Sequence, residues 1–306
     1  MKTVNDFFYS YNKKDKIHYI ECIPENICCK AIVQIVHGMA EHADRYLDFA
    51  DFLCSQGYIV FIHEHVGHGK TAMMVEKLGV FSDSHQNETM LEDTLKMNIT
   101  AKKKYPHLKV FLLGHSMGSF IVRNFAAKYG NHLDGLIISG TGGRNKMLGV
   151  GILVAKVIKL FNGGNYKSKM IDNLSFGNFN WKYEDVKTKF DWLSRDREIV
   201  NKYIEDDFCG YLFDLNGMLS LFNLNRVANS DNTYMKTDNE LKILIISGAM
   251  DPVGNFGKGV KEVHDNYKKF GSTNSVIKLY NSSRHELLNE YNKESVYEDI
   301  VNFMNI

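Results

Sequence analysis

Short apolar runs alternate with helix-like segments along most of the chain. Continuous runs rich in β-branched residues, typical of strands buried on both faces, lie at positions 31–37, 58–63, 109–114, 135–140, 241–248 and 275–281. Apolar residues at helical spacing predict helices over 44–55, 88–105 and 117–129, and a final helix from about residue 285 to residue 304. Because strands and helices alternate, we expect an α/β fold with a mostly parallel central sheet and helices on both of its faces.

Two regions depart from this pattern. Alternating residues at 7–11 and 17–22, separated by a polar turn, predict an antiparallel hairpin of two edge strands. After the sixth predicted strand, the alternation stops over positions 142–240. We therefore predict a core formed by residues 1–141 and 241–306, with residues 142–240 as a helical insertion.

The insertion contains one clear amphipathic helix. Its apolar side chains recur at helical spacing, and they are Val150, Leu153, Val154, Val157, Ile158 and Phe161. Lys156 and Lys159 are expected on the opposite face. Two compatible interpretations follow, a helix packed against the body of the protein and part of a lid over an acyl-binding cleft.

Charge and cysteine content narrow the choice of partners. The 37 basic and 36 acidic residues nearly cancel, so we expect no nucleic-acid partner and no long-range attraction to an anionic membrane. Five cysteines, among them the adjacent Cys28 and Cys29, lack the spacing of a disulfide framework or a paired zinc site. There is no apolar run of signal-peptide length at the N-terminus, and the apolar stretch 148–161 is too short to span a bilayer. We expect a soluble, cytoplasmic protein.

The candidate nucleophile is Ser116. It is the serine of a G-x-S-x-G pattern, Gly114 to Gly118, placed directly between a buried strand and a helix. In such a turn the serine backbone is strained, and the two glycines avoid collisions with the neighbouring strand and helix. Chance alone produces the bare pentapeptide in some chains of this glycine content, so the strand before it carries the prediction.

A serine hydroxyl needs a base, and the base needs an orienting carboxylate. Asp251 follows the predicted strand 241–248, and His285 follows the predicted strand 275–281, at the start of the final predicted helix. Each has an ordinary alternative, since an aspartate before proline is common in turns and a histidine can simply end a helix. Their order after Ser116 favours a catalytic triad.

An acyl-transfer site also needs two backbone N–H donors for the developing oxyanion. Met117 follows the nucleophile and would supply the first donor. Met39, after His37 and Gly38 at the end of a buried strand, would supply the second. The alternative for Met39 is a plain turn between strand and helix.

The run His-Glu-His-Val-Gly-His-Gly at 63–69 invites a metal interpretation. The spacing of a zinc-binding His-Glu-x-x-His helix fails here, because Gly67 stands at the second histidine position and a strand precedes the run. We expect a hydrogen-bonded loop beside the cleft, and we expect no metal and no cofactor.

Several segments resemble the monoacylglycerol lipase and lysophospholipase group of α/β-hydrolases, which is also grouped with serine aminopeptidases. These are HGMAEHADRY at 37–46, HEHVGHG at 63–69 and GHSMGS at 114–119, while 192–210 and 251–260 are similar to the bacterial branch. The resemblance implies the α/β-hydrolase fold, the triad Ser116, Asp251 and His285, and oxyanion donors at Met39 and Met117. It also implies that residues 142–240 form a cap.

The expected reaction is hydrolysis of a small-molecule acyl ester, such as a monoacylglycerol or lysophospholipid, through an acyl-enzyme. Transient membrane contact would be made through the cap. Two positions depart from the family pattern, Glu64 in place of an aspartate and Asp207 in place of a proline. The rival activities are an aminopeptidase or amidase, with Glu205, Asp206 and Asp207 holding a substrate ammonium, and a ligand-binding protein without turnover.

Overall fold

The computed structural model describes residues 1–81 and 86–305, and one eight-stranded sheet forms its centre. The strands are β1 Lys2–Tyr9, β2 Lys16–Ile23, β3 Ala31–Val36, β4 Tyr58–His63, β5 Lys109–His115, β6 Gly135–Ser139, β7 Ile243–Gly248 and β8 Ser275–Tyr280. They lie in the order β1-β2-β4-β3-β5-β6-β7-β8. All neighbouring pairs from β4 to β8 are parallel, which confirms the predicted α/β sheet.

The predicted N-terminal hairpin is confirmed, with longer strands than the alternation indicated. β1 pairs with β2 antiparallel in a register that places Lys2 opposite Ile23. On its other side β2 pairs antiparallel with β4, so of the two hairpin strands β1 alone lies at an edge of the described sheet, and β8 lies at the opposite edge. The prediction of two edge strands was therefore wrong for β2, whose buried residues pack into the core.

Helices cover both faces of the sheet. They are α1 Leu47–Ser55, α2 Gln86–Lys104, α3 Met117–Tyr129, α4 Leu148–Asn162, α5 Lys169–Phe176, α6 Arg197–Glu205, α7 Leu215–Ala228, α8 Asp231–Lys236, α9 Lys258–Lys269 and α10 Lys293–Met304. One face packs against α1 and α10, through Phe49 and Ile300 among others. The other face packs against α3 and α9, through Phe125 and Val263. Alternate strand residues serve the two cores, as the continuous apolar runs require.

The last helix begins later than predicted. α10 starts at Lys293, and His285 lies in the preceding loop rather than at a helix start. The backbone N–H of Glu286 donates to the Leu193 carbonyl at 2.7 Å, and that of His285 to the Trp192 carbonyl at 3.4 Å. Because the insertion accepts both N–H groups, residues 285 and 286 are not part of a helix.

Helices α4 to α8 lie between β6 and β7, within the predicted insertion. α4 matches the predicted helix, but its orientation differs from the expectation. Ala155 is its buried residue, and Lys159 faces inward, where its Nζ donates to Asn216 Oδ1 at 2.6 Å. The small side chain of Ala155 allows α4 to pack closely against the rest of the protein. Several of the larger apolar side chains of α4 remain exposed to solvent. These are Val150, Leu153, Val157, Leu160 and Phe161.

Candidate active site

Ser116 occupies a strained turn between β5 and α3. Its φ of 55° and ψ of −118° lie in a region that few non-glycine residues adopt. A Cβ on Gly118 would collide with the carbonyl oxygen of Val36, and one on Gly114 would collide with the carbonyl of Gly118. The two glycines thus allow the close packing of α3 against the sheet that the sequence pattern predicted. The serine stands at the carboxyl end of a central parallel strand, where α/β folds place their sites.

Asp251 and His285 meet after the last two strands. Nδ1 of His285 lies 2.9 Å from Oδ2 of Asp251, and both residues are buried. The Ser247 hydroxyl also donates to Oδ2 at 3.2 Å, and the Val253 N–H donates to Oδ1 at 2.9 Å. The carboxylate is therefore held on both oxygens. With Nδ1 bound to Asp251, Nε2 is the ring nitrogen left for proton transfer.

One cleft of about 880 Å³ brings the predicted site residues together. Ser116, His285, Met39 and Met117 all line its wall. Much of the remaining lining is apolar and comes from the insertion, with Leu148, Val154, Ile171, Leu174, Phe176, Phe179, Leu221 and Phe222 among the contributing residues. A cleft of this size and character suits a ligand with a long apolar portion.

The segment after β3 lies directly against the serine turn. A Cβ on Gly38 would come within 3.0 Å of Ser116 Cβ, so a side chain has no room there. Ala40 is left-handed, with φ 52°. Its carbonyl accepts hydrogen bonds from Gly210 N at 3.0 Å and from Tyr203 Oη at 2.9 Å. Groups of the insertion thus hold the backbone next to Met39.

The sequence interpretation missed a buried polar network beneath this segment. Oε1 of Glu41 accepts hydrogen bonds from the Gly38 N–H at 2.5 Å and from the Tyr46 hydroxyl at 2.8 Å. His115, the residue before Ser116, places Nδ1 3.3 Å from the same oxygen. Burial disfavours charge on both groups, yet their contact raises the pKa of His115 and, together with Arg45, lowers the pKa of Glu41 well below its usual range.

Arg45 extends the network to the histidine loop. Its guanidinium donates to Glu41 Oε2 at 2.8 Å and to both carboxylate oxygens of Glu286 at 2.7 Å. Glu286 directly follows His285, so the network joins the segment at Met39 to the loop of the proposed base. The sequence contains one indication of this network, because Glu41 and Arg45 stand four residues apart just after the His-Gly pair, a spacing at which opposite charges can pair.

Trp192 brings the insertion against the imidazole of His285. The two ring centroids are 5.0 Å apart, and the ring of His115 lies 4.7 Å from that of His285. The Tyr183 hydroxyl donates to the carbonyl of Met250, next to Asp251, at 2.6 Å. The insertion therefore contacts the surroundings of both the acid and the histidine.

The family of the chain follows from a comparison with known proteins. The family described as "Serine aminopeptidase, S33" matches residues 28–292. The chain belongs to this family. The match covers the strands and loops that carry Ser116 and Asp251, and it includes His285. It confirms the resemblance drawn from the sequence motifs.

Several individual proteins are also similar to this chain. The monoglyceride lipase homolog of Monkeypox virus is 27% identical over 279 residues, which cover 89% of this chain and 88% of that protein. Human monoglyceride lipase is 39% identical over 109 residues, covering 36% of this chain and 34% of the human protein. The crystal structure of a thermostable carboxyl esterase from Bacillus coagulans in complex with glycerol has a TM-score of 0.93 and 31% identity, covering 100% of this chain and 98% of that one.

The histidine-rich loop of this serine aminopeptidase family member supports the segment at Gly38. The ring of His37 lies 4.3 Å from that of His65, and the backbone N–H of His65 donates to His37 Nε2 at 3.3 Å. Burial lowers the pKa of His68 to about 3 and that of His65 well below its usual value, so both rings are neutral. The predicted hydrogen-bonded loop is thus present, and Glu64 accepts from the Thr71 N–H at 2.9 Å.

Two further expectations concern acidic and apolar segments. Among the described residues, the lining of the cleft includes none of Glu205, Asp206 and Asp207. Asp206 instead binds His42, with 2.8 Å between Oδ2 and Nε2. None of the helices in the described ranges is long and apolar enough to cross a membrane.

Proposed function

We propose that the protein hydrolyses carboxylic esters of monoacyl lipids, such as monoacylglycerols or lysophospholipids, through an acyl-enzyme on Ser116. The main observation in support is that His285 Nδ1 lies 2.9 Å from Asp251 Oδ2, and that His285 and Ser116 line the same largely apolar cleft. The names of the similar proteins, monoglyceride lipases and a carboxyl esterase bound to glycerol, support this substrate class.

The proposed mechanism assigns one step to each residue of the triad. Ser116 Oγ attacks the ester carbonyl while His285 Nε2 accepts the hydroxyl proton. Collapse of the tetrahedral intermediate expels the alcohol, which receives that proton from His285. A water molecule, activated by the same nitrogen, then releases the fatty acid. Asp251 keeps Nδ1 protonated and stabilises the imidazolium that forms in each half-reaction.

The oxyanion would be stabilised by the backbone N–H groups of Met39 and Met117. Met117 is the first residue of α3, where N–H groups have no intrahelical acceptor. The Gly38 N–H is directed to Glu41, which leaves the next N–H in the segment for the substrate. Removing one such donor typically costs about a hundredfold in rate.

Residues 142–240 act in this proposal as a cap that selects the acyl group. The apolar side chains that they contribute to the cleft can cover an alkyl chain, and each buried CH₂ contributes about 0.8 kcal/mol. The polar groups on the same wall, among them Asn180 and Lys189, can face the glycerol or phosphate end.

A lipid surface is the proposed docking partner of this cap. One side of α4 presents exposed apolar residues, here called the outer face and formed by Val150, Leu153, Val157, Leu160 and Phe161. Leu160 is 81% and Phe161 80% exposed. Residues 144–182 carry one arginine and six lysines against a single aspartate. An apolar helix side within a cationic segment favours the interface of an anionic bilayer.

The aminopeptidase alternative has less support. Its ammonium would require the acidic run at 205–207, and that run lies outside the described lining of the cleft. Of the four acidic residues in the described lining, Glu41 and Glu286 are already paired with Arg45, and the other two are Asp172 and Glu262. A cleft with this apolar wall suits an acyl chain better than a charged N-terminus.

A substrate panel tests the proposal. Purified protein is offered a monoacylglycerol, a lysophospholipid, a short nitrophenyl ester and an aminoacyl-naphthylamide, beside the Ser116→Ala variant. We expect hydrolysis of the esters only, and no hydrolysis by the variant. Faster cleavage of the naphthylamide than of any ester would overturn the substrate class. Equal turnover by the variant would overturn the nucleophile.

A further inference from the structure

Three side chains of metal-binding type meet outside the cleft, at the contact between the segment at Gly38 and the insertion. They are His42, Asp206 and Cys209, and their candidate ligand atoms all lie within 4.8 Å of one another. His42 and Cys209 are each only 9% exposed, while Asp206 is reachable from solvent. None of the three is among the residues that line the cleft in the described structure.

A tight turn aligns Asp206 with Cys209. The Cys209 N–H donates to the Asp206 carbonyl at 2.9 Å, and the Phe208 N–H donates to Asp206 Oδ1 at 2.8 Å. This turn places two side chains three residues apart on the same side, as the C-x₂-C turns of structural zinc sites do. His42 comes from a distant part of the chain and closes the trio, with Nε2 2.8 Å from Asp206 Oδ2.

The second ring nitrogen of His42 faces a carboxylate, as the second nitrogen of a metal-bound histidine usually does. Nδ1 lies 3.6 Å from a carboxylate oxygen of Asp44. Asp44 is held in turn by Lys70, 3.0 Å away. Ligating histidines generally bind a carboxylate through their other nitrogen, which fixes the ring and raises its basicity. This feature is independent of the spacing among the three ligand atoms.

We propose that His42 Nε2, Asp206 Oδ2 and the Cys209 thiolate bind one Zn²⁺, with water in the fourth position. Zinc favours this mixture of nitrogen, oxygen and sulfur ligands in a tetrahedral arrangement. Zinc displaces the proton between His42 and Asp206, and both this proton and the thiol proton of Cys209 pass to solvent without any electron transfer. Tetrahedral ligands lie about 3.5 Å apart, so the longest separation in the trio shortens by roughly 1 Å, while the 2.8 Å contact between His42 and Asp206 widens.

The site couples directly to the segment that carries Met39. Gly210, next to Cys209, donates its N–H to the Ala40 carbonyl at 3.0 Å. Drawing Cys209 toward His42 therefore shifts the backbone on both sides of this hydrogen bond. Displacements of about 1 Å in a catalytic segment can cost a hundredfold in rate. Zinc is thus expected to inhibit hydrolysis, and this consequence rests on the proposed function.

Metal binding is tested first, by a readout that does not depend on turnover. The double variant Cys28→Ser, Cys29→Ser removes the more exposed thiols and serves as the background. Titration with Co²⁺ should produce thiolate-to-cobalt charge transfer and the visible bands of tetrahedral cobalt, saturating at one equivalent, and Zn²⁺ should displace it. Adding Cys209→Ser should abolish the charge-transfer band and weaken binding at least tenfold, whereas adding Cys54→Ser should change neither.

Further variants separate the site from the function. Asp206→Asn provides a second ligand change, and a thermal melt of each variant checks the fold. Zn²⁺ should inhibit ester hydrolysis in the background variant, chelation should restore it, and Cys209→Ser should retain turnover without inhibition. Equal cobalt spectra with and without Cys209 would overturn the site. Zinc binding without inhibition would overturn the coupling to Ala40. An absence of hydrolysis in the metal-free protein would reject the proposed function, and the cobalt titration would still report on the metal site.

Discussion

His115 Nδ1 lies 3.3 Å from Glu41 Oε1, in a buried pair one residue before Ser116. The same oxygen accepts the Gly38 N–H, so a single carboxylate touches the strand end before the serine and the segment before Met39. Glu41 can therefore fix the relative position of nucleophile and oxyanion donors. In the sequence, only the spacing of four residues between Glu41 and Arg45 indicated a contact of this carboxylate.

Replacing Glu41 with Gln tests this relationship. The amide keeps the shape but removes the charge that binds Arg45 and His115, and breaking a buried pair costs about 3 kcal/mol. We expect kcat for a short ester to fall about tenfold to a hundredfold, with a smaller change in KM. Steady-state kinetics and urea unfolding measure the two effects. Glu76→Gln, at an exposed site, is the matched control, and equal kinetics in the two variants would contradict the role of Glu41.

The buried carboxyl of Asp93 predicts a specific dependence of stability on pH. Burial raises its pKa from 3.8 to about 6, while the Ser10 hydroxyl and the Tyr11 N–H each donate to it at 2.7 Å. Because the folded state binds the Asp93 proton more tightly than the unfolded state does, protonated Asp93 stabilises the fold. This stabilisation is complete below about pH 4 and is lost as the pH rises through about 6. Asp93→Asn should preserve both contacts and escape this loss.

The measurement is the difference in unfolding free energy between Asp93→Asn and the unaltered protein. Between pH 4 and pH 8 this difference should move in favour of the variant by roughly 2 to 3 kcal/mol, from a shift of about two pKa units. Most of the change should fall between about pH 4 and pH 6, the interval between the unfolded and folded pKa values. A difference that stays constant across this range would show that Asp93 does not titrate as described.

The outer face of α4 predicts vesicle binding that is separable from chemistry. The double variant Leu160→Ser, Phe161→Ser removes two of its most exposed apolar side chains. We expect weaker sedimentation with anionic vesicles, by about tenfold, and unchanged turnover of a water-soluble ester. Met73→Ser, which alters an exposed apolar residue outside the insertion, should bind vesicles normally. Equal binding by both variants would remove the outer face from the proposal.

The sequence predicted the sheet and the elbow because these depend on local patterns. The apolar runs correspond to β3 through β8, but the expectation of burial on both faces was wrong for β8, an edge strand with exposed residues. The glycines around Ser116 are required by contacts with Val36 and the helix itself. Asp251 and His285 followed from their places after β7 and β8. Strand order brings these loops to one edge of a parallel sheet, so no long-range detail was needed.

Other features depend on contacts that no local pattern contains. Periodicity identified α4 but not its inner side, because the contact is made around the small Ala155 rather than the largest apolar residues. The start of α10 moved because residues 192 and 193 bind the backbone at 285 and 286. The signal for α9 was present in Val260, Val263 and Tyr267 at helical spacing, among many charged residues, and was overlooked.

Covalent trapping of Ser116 tests the proposed nucleophile most directly. The protein is treated with a fluorophosphonate, digested and analysed by mass spectrometry, beside Ser116→Ala and a Ser119→Ala control at the next serine along the chain. We expect one phosphonyl group on the peptide that contains Ser116, loss of ester hydrolysis in step with labelling, and no adduct in Ser116→Ala. Labelling of the Ser116→Ala protein, full ester hydrolysis by that variant, or labelling of the unaltered protein confined to another residue would contradict the assignment of Ser116 as the nucleophile.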